Sequence, residues 1–368
     1  MGSRVPNDNQ RQPPSRPSVA PSVRPPLRRS SSSQLRLSSI DFELVNAARR
    51  ILEGSLSVVP GERVVVVVDR ARADLVPPLE EVARLTGAKC DVVVLEDVGM
   101  RPLRELPPII EELIRDAQAT ILLAAFVEGE HPMRLALLER VRELGLRHAH
   151  MLGVTRRAMV AGLSVDPSRI LDTTRAVRMR LRPNSMLRSR SASGTDLTVE
   201  IDPNHRWVEH VGVIRAGRWE NLPSGELMTS PKSVSGVFVC DASVSGTFGG
   251  GGLLTRMPLR LDIEDSVVKS VACNDSNLQR AIEGFLASDR FTRRVGTVFL
   301  GTNVGLLEPI GETVCDQNLP GLHISLGSTY ADVTGAPFTT AAYVSLTAVG
   351  GDVDLDGAPL LRAGRYML

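Results

Sequence analysis

Five consecutive valines, in Arg63-Val-Val-Val-Val-Val-Asp69, constrain the fold of this chain more than any other feature. An unbroken β-branched run is typical of a strand in a parallel sheet that is buried on both faces. Helical patterns alternate with further strand-like segments, at 79–85 (helix), 90–95 (strand), 109–114 (helix), 119–126 (strand), 135–144 (helix) and 148–154 (strand). This alternation predicts βαβ units, so we expect residues 39–170 to form a doubly wound α/β domain whose first helix is capped by Ser39.

The rest of the chain, residues 171–368, has the pattern of an antiparallel β domain. A helical connector at 171–186 is followed by short apolar segments with glycine-rich turns, at 196–201, 236–241, 259–263, 295–300 and 341–347. Short strands at this spacing are typical of antiparallel sheets. Four glycines at 249–252 lack the following Lys-Ser or Lys-Thr of a phosphate-binding loop, which favours a turn or a mobile loop. We therefore predict an α/β domain followed by a β-rich domain.

Residues 1–38 differ in composition, since they are rich in Pro, Ser and Arg and poor in apolar side chains. Such a segment cannot bury enough apolar surface to offset the entropy cost of folding, so we expect it to be disordered. Its arginines make it basic, which fits either a solvated tail or an arm that binds an acidic partner.

Composition excludes several classes of function. A net charge of +1 gives no global attraction to nucleic acid or to an anionic membrane, and 4% aromatic residues are too few for a base-stacking surface. No apolar run approaches the roughly 20 residues that span a bilayer. The four cysteines lack CxxC spacing, and Arg70-Ala-Arg-Ala73 stands where a glycine-rich phosphate-binding turn would follow the first strand. We expect a cytoplasmic protein with reduced thiols, no cofactor, and no nucleic-acid or membrane partner.

A series of short motifs in the second half carries the most specific information on function. They are Gly194-Thr-Asp-Leu197, Asn221-Leu-Pro-Ser-Gly-Glu226, Gly301-Thr-Asn303, Cys315-Asp-Gln-Asn318, His323-Ile-Ser-Leu-Gly327, Tyr330 and Asp356-Gly357. In this combination and order they resemble the aminopeptidase T-like family of metallo-aminopeptidases, over residues 190–368. The resemblance implies a peptide-binding cleft, and it implies a homodimer because the family is commonly homodimeric.

That family binds two adjacent divalent metals through two Glu, a His, a Tyr and a His-x-Asp pair. The resemblance places three of these ligands at Glu226, His323 and Tyr330. The other three positions have become neutral and weakly ligating, at Thr297, Tyr343 and Ser345. Metals about 4 Å apart need carboxylates to offset the repulsion between the ions, so we expect no metal pair. A single metal on the three retained residues is a weak alternative, because neutral tyrosine is a poor ligand below roughly pH 10.

Each retained residue also has a purely structural interpretation. Glu226 fits a turn or a salt bridge, His323 fits a hydrogen-bonded core histidine, and Tyr330 fits a packing tyrosine. Two further histidines, His148 and His150, lie on one side of a predicted strand without a third ligand nearby, which favours a structural role.

Two arginines and two tryptophans are the candidates for peptide contact, namely Arg215, Arg218, Trp207 and Trp219. An arginine beside an indole can hold a peptide or a carboxylate through cation–π and bidentate contacts. Packing explains Trp219 equally well.

An intact scaffold with an eroded ligand set leads to three hypotheses. In the first, a catalytically inactive aminopeptidase-like protein binds a peptide between its domains, for example the precursor in a pathway that modifies ribosomally made peptides. In the second, a diverged hydrolase with one metal or none uses Glu226 as general base, with His323 and Tyr330 as proton donor or oxyanion partner. In the third, the chain is a structural partner of an active paralogue.

Overall fold

The computed structural model describes residues 41–245 and 252–368. These residues belong to one compact unit, Asp41–Leu368. The predicted disordered tail at 1–38, the predicted cap at Ser39 and residues 249–251 of the glycine run lie outside the described residues.

The described residues form the helices α1 to α10. They are α1 (Phe42–Arg49), α2 (Val76–Thr86), α3 (Leu95–Val98), α4 (Pro108–Ile114), α5 (His131–Leu144), α6 (Arg156–Gly162), α7 (Pro167–Arg180), α8 (Ser276–Ser288), α9 (Thr313–Asp316) and α10 (Ala331–Thr334). A π-helix at Arg50–Ser55 follows α1, and a 3-10 helix at Arg70–Leu75 precedes α2.

The strands fall into one parallel and two antiparallel sheets. They are β1 (Arg63–Val68), β2 (Lys89–Val94), β3 (Ala119–Ala124), β4 (Arg147–Leu152), β5 (Met186–Arg190), β6 (Asp196–Ile201), β7 (Val208–His210), β8 (Arg218–Asn221), β9 (Glu226–Thr229), β10 (Pro231–Cys240), β11 (Leu259–Glu264), β12 (Val267–Ala272), β13 (Val295–Gly301), β14 (Gly321–Gly327), β15 (Tyr343–Leu346), β16 (Asp352–Leu355), β17 (Ala358–Arg362) and β18 (Arg365–Tyr366).

The parallel sheet has five strands in the order β2-β1-β3-β4-β8. The five valines of β1 are buried, as the unbroken apolar run predicts. Alternate valines point into two separate cores, one shared with α1, α2 and α6 and the other shared with α4 and α5. Helices thus cover both faces of the sheet, and the predicted doubly wound α/β arrangement is confirmed.

The two antiparallel sheets share a third hydrophobic core. Eight strands form the larger sheet, β12-β11-β10-β6-β5-β16-β17-β18, and five form the smaller sheet, β15-β14-β13-β9-β7. Leu197 and Phe238 of the larger sheet enter the same core as Leu227, Leu300 and Ile324 of the smaller one. The predicted β-rich second half is therefore confirmed.

Helix boundaries and one helix differ from the sequence prediction. Asp41 caps α1, because its carboxylate accepts a hydrogen bond from the Leu44 N–H, and Phe42 in the first turn is 71% exposed. The helix predicted at 171–186 ends at Arg180, and Met186 is the first residue of β5. Helix α8 was not predicted, although Asp275 caps it and its apolar residues recur at helical spacing.

Strand β8 is an unpredicted member of the parallel sheet. It comes from beyond residue 170, yet it pairs in parallel with β4. The predicted boundary at residue 170 also falls inside α7. The division into residues 39–170 and 171–368 stays a prediction.

All four cysteines are free thiols, at Cys90, Cys240, Cys273 and Cys315. Among the described helices, none combines the length and apolar character needed to cross a membrane.

Candidate functional site

The smaller antiparallel sheet gathers the implied ligand positions on one face. Glu226 lies opposite Gly301 of β13, while Thr297 and Ser345 flank β14 at the same register position. Because side chains alternate between the faces of a strand, these positions and His323 share the face turned away from the hydrophobic core. Residues far apart in sequence are thus brought onto one surface, which we call the site face.

Glu226 has one bonded and one unbonded carboxylate oxygen. Its Oε1 accepts a hydrogen bond of 2.8 Å from Nδ1 of His210, which stands directly opposite on β7. Its Oε2 is buried and has no hydrogen-bond partner among the described residues. A buried unpaired acceptor costs about 1–3 kcal/mol, more when it is charged. The site face therefore carries an acceptor that a donor from a ligand would stabilise.

The surroundings of His210 raise its pKa. Burial lowers the pKa of His210, but the hydrogen bond to Glu226 and the charges of Glu226 and Glu220 outweigh burial, and the net shift is upward. Glu220 accepts hydrogen bonds from the backbone N–H groups of Val211 and Gly212, at 3.0 and 2.7 Å. Partly exposed His210 and buried Glu226 thus form a hydrogen-bonded acid–base pair at one end of the site face.

Both ring nitrogens of His323 are hydrogen-bonded to the backbone. Its Nε2–H donates to the Leu319 carbonyl at 2.8 Å, and its Nδ1 accepts from the Ala348 N–H at 3.2 Å. The ring is 1% exposed, and burial lowers its pKa to about 4. These contacts match the structural interpretation of His323, since neither nitrogen is free to bind a metal or to move a proton.

The other implied ligand positions are neutral or engaged. Thr297 is buried, and its Oγ1 donates to the Ser328 carbonyl at 2.9 Å. Tyr330 has left-handed backbone torsions, with φ at 49°, and its ring centroid lies 6.0 Å from that of Tyr343. Burial raises the pKa of Tyr330 above its ordinary value, so its phenol stays protonated. Ser345 is buried in β15 beside these residues.

A buried arginine borders the site face from the α/β half. Arg134 of α5 is 8% exposed, and its guanidinium lies 5.6 Å from the centroid of the Phe126 ring. Its pKa is lowered chiefly by burial, against smaller opposing effects of Glu130 and Tyr343. Its charge in turn lowers the pKa of His150. Arg134 therefore lies near both β4 and β15.

The two histidines of β4 form a packed, neutral pair. Nδ1 of His148 is 2.7 Å from Oγ1 of Thr120, and its Nε2 is 3.3 Å from Nδ1 of His150. Burial lowers the pKa of both rings, that of His150 to about 4. The ring of Trp219 lies 5.7 Å from His150. These contacts explain the pair by packing and hydrogen bonding.

The four residues predicted to contact a peptide lie near β7 and β8. Arg215 and Arg218 are exposed, at a turn that leads into β8, and Trp219 follows within that strand at 44% exposure. Trp207 is half-buried and packs against the core of the antiparallel sheets. In residues 41–245 and 252–368 the cation–π contacts involve other side chains, and the peptide-binding role of these four residues stays a prediction.

The carboxyl edge of the parallel sheet is filled by a buried ion network. Arg101 donates to Glu130 at 2.8 and 2.6 Å and to Asp69 at 2.7 Å. Asp69 follows β1, and its Oδ2 also accepts from the Ala125 N–H beyond β3. In sheets of this strand order the crevice between these two strands is the usual ligand position. Protein side chains occupy it here.

Comparisons with known proteins agree with the motifs. The model of a family described as thermophilic metalloprotease (M29) matches residues 171–343. The solved structure of wild-type AmpT from Thermus thermophilus superposes with a TM-score of 0.61 and 19% identity, over 90% of this chain and 100% of that one. The family match agrees with the resemblance to the aminopeptidase T-like family over those residues, and the superposition shows a shared fold.

A second solved structure shares the same fold. It is 2,5-dihydroxypyridine dioxygenase from Pseudomonas putida KT2440, with a TM-score of 0.61 and 17% identity, over 89% of this chain and 98% of that one. At these identities the structural likeness shows the fold alone. No curated protein matches the chain.

The residues present do not fit the pair of metals that the aminopeptidase T-like family implies. His323 has no free ring nitrogen, and Thr297 and Ser345 offer hydroxyls where carboxylates are expected. Within the described residues, no group of three or more His, Cys, Asp or Glu side chains is placed to hold a metal ion. The implied ligand positions therefore lack the donors that a metal pair needs.

Two residues of this region, His210 and Arg134, have no recognisable signal in the sequence. His210 has no motif around it, and only the pairing of β7 with β9 reveals its contact with Glu226. Arg134 lies in an ordinary amphipathic helical pattern, and no local signal distinguishes it from the exposed arginines of the chain, although it is buried.

Proposed function

We propose that this aminopeptidase-like protein binds a peptide on the site face without hydrolysing it. The observation that carries the proposal is the unpaired Oε2 of Glu226, buried beside a protonatable His210. A peptide amino terminus is an ammonium group with three donors, and a charge-assisted bond to a buried carboxylate is among the stronger hydrogen bonds. The free amino group of a peptide would satisfy the oxygen that the chain itself leaves unbonded.

The eroded ligand set supports the absence of hydrolysis. A two-metal hydrolase activates water and stabilises the developing charge through ions that carboxylates and histidines fix in place. Here the backbone occupies both nitrogens of His323, and Thr297 donates its hydroxyl to a carbonyl. We therefore propose that the protein binds a peptide but does not carry out metal-dependent hydrolysis.

Calorimetric titration with short synthetic peptides tests the proposal, using each peptide with a free and with an acetylated amino terminus. We expect the free form to bind at least about tenfold more tightly, which corresponds to about 1.4 kcal/mol. Glu226→Gln should abolish this preference. Glu209→Gln, on the exposed neighbouring position of β7, is the matched control and should retain it. Equal binding of both forms, or release of the first amino acid detected by mass spectrometry, would contradict the proposal.

The bond between His210 and Glu226 favours a metal-free hydrolase as a second candidate function. The pair supplies a general base and a group that holds its proton, and Tyr330 is a nearby neutral donor. His323 takes no part in this version, since its ring is bonded to the backbone. Any peptide turnover should then be lost in Glu226→Ala while the fold is retained, and turnover unaffected by this change would exclude the candidate.

Assembly and location belong to the same proposal. The resemblance implies a homodimer, and a structural partnership with an active paralogue is the third hypothesis. Light scattering on the pure protein should give the mass of two chains if the homodimer forms. Co-purification of a related chain in equal amount would instead support the paralogue. A cytoplasmic location and a role in modifying ribosomally made peptides are tested by cell fractionation and by titration with candidate precursor peptides.

A further inference from the structure

Arg134 is a buried cation without an acidic partner. In the part of the chain that the structure describes, no carboxylate lies within ion-pair distance of its guanidinium, and its Nη1 is buried without a hydrogen bond. Even after relaxation, burying a charge costs several kcal/mol unless a partner of opposite charge accepts its hydrogen bonds. The position is therefore unfavourable for stability in the ligand-free chain.

The nearest acid is already committed to another arginine. Glu130 precedes Arg134 by one helical turn, but its two carboxylate oxygens accept from Arg101 at 2.8 and 2.6 Å. The Leu103 N–H also donates to Glu130, at 3.1 Å. Arg101 itself disfavours the charged form of Arg134 by repulsion. The network at the carboxyl edge of the parallel sheet thus leaves Arg134 available to a ligand.

Among the described residues, Arg134 and Glu226 each leave a buried polar atom without a hydrogen bond, Nη1 as a donor and Oε2 as an acceptor. Tyr343 affects the pKa of Arg134, and Glu226 affects the pKa of Tyr330. The rings of these two tyrosines lie 6.0 Å apart. Phe126 lies against the guanidinium and restricts its movement.

We propose that Arg134 binds a carboxylate of the ligand, so that the site face takes short peptides that present both an amino group and a carboxylate. This inference rests on the proposed function, in which Glu226 receives the amino group. A carboxylate accepts the hydrogen bonds that Nη1 lacks, and arginine is well suited to it because its planar fork matches the two oxygens. The rings of Tyr330 and Tyr343 would contact the backbone or small side chains of the peptide.

Trialanine is the probe, because its only charges are its termini. Its free acid and its carboxyl-terminal amide are titrated into the wild type, Arg134→Gln and Arg290→Gln. Arg290 is the matched control, since it is exposed and also lies over a phenylalanine ring, that of Phe291 at 4.4 Å. We expect the wild type and the control to bind the acid at least tenfold more tightly than the amide, and Arg134→Gln to bind both forms equally. A preference that is absent from the wild type, or that persists in Arg134→Gln, overturns the inference.

Thermal unfolding separates the inference from the proposed function and checks the fold of the variant. Acetate, compared with chloride at equal ionic strength, should raise the unfolding midpoint of the wild type and leave that of Arg134→Met unchanged. Acetate stabilisation without trialanine binding would support the carboxylate site while the peptide function fails. Equal binding of trialanine and its carboxyl-terminal amide would support the peptide function and contradict the inference about Arg134. Without ligand, Arg134→Met should unfold no lower than the wild type, and a clear drop in its midpoint would show a structural role instead.

Discussion

Replacing His323 with alanine should destabilise the protein strongly, because the ring joins two buried backbone groups. The Leu319 carbonyl and the Ala348 N–H belong to residues that are 3% and 7% exposed. Both depend on His323 for the bonds described above, at 2.8 and 3.2 Å. A histidine kept as a ligand or proton donor would behave differently, since its removal from a functional site commonly leaves stability unchanged or raises it.

The magnitude follows from the two groups left unpaired by the change. Each buried donor or acceptor without a partner costs about 1–3 kcal/mol, and the space vacated by the ring adds a cavity term. Water entering that space would restore part of the bonding. We therefore expect His323→Ala to lower the free energy of unfolding by about 4 kcal/mol, relative to wild type at neutral pH.

Denaturant unfolding followed by tryptophan fluorescence and circular dichroism measures this change, with the midpoint expected to fall at an unaltered slope. Tyr343→Phe is the matched control on the adjacent strand, since Tyr343 is 49% exposed, and it should lie within about 0.5 kcal/mol of wild type. A loss below about 1 kcal/mol for His323→Ala would refute the structural role assigned to this residue.

Three further predictions follow from the same structure. The folded pKa of His323 is depressed from 6.5 to about 4, so its contribution is complete above pH 6.5 and is lost as pH falls through about 4. The difference in unfolding free energy between wild type and His323→Ala should shrink over that window, and a constant difference would contradict it. NMR titration should show a lower pKa for His210 in Glu226→Gln than in wild type, whereas an unchanged value would exclude the pair. Gly301→Ala should cost about 3 kcal/mol, because a Cβ would lie 1.9 Å from a backbone oxygen, while Gly284→Ala in α8 meets open space and should gain about 0.5–1 kcal/mol in denaturant unfolding.

Local sequence pattern predicted the elements whose burial is decided within a few residues. The valines of β1 predicted a doubly buried strand, because β-branched residues favour strands and an unbroken apolar run needs cover on both faces. The predicted strand at 196–201 coincides with β6, where apolar and polar residues alternate. Fold class followed from the order of these elements.

Pairings between distant segments were beyond the reach of local pattern. Strand β8 is short and lies at an edge, with exposed residues such as Trp219, so its place beside β4 depends on tertiary packing. The same holds for the bond between His210 and Glu226, which needs the register of β7 against β9. The motif resemblance located Glu226 and His323. It could not show that the ring of His323 is hydrogen-bonded to the backbone, or that Oε2 of Glu226 has no hydrogen-bond partner among the described residues.

Stability and ligand binding have different requirements for the buried polar groups of the site face. Glu226 and Arg134 each bury a charged group with an unbonded atom, which a chain selected only for stability would replace with apolar or bonded side chains. His323 and Thr297, by contrast, are hydrogen-bonded to the backbone. Unbonded charged groups beside satisfied implied ligand positions are what we expect of a protein that binds a ligand without metal chemistry.

Metal content distinguishes a binding protein without metal chemistry from a metallo-hydrolase. Inductively coupled plasma mass spectrometry should be applied to protein purified without chelators or metal-affinity resin, and again after dialysis against zinc, manganese or iron(II) followed by buffer. The account predicts well below one ion per chain in every sample, because the backbone holds both nitrogens of His323. Near-stoichiometric metal that is lost in Glu226→Gln would contradict it and restore a metallo-hydrolase.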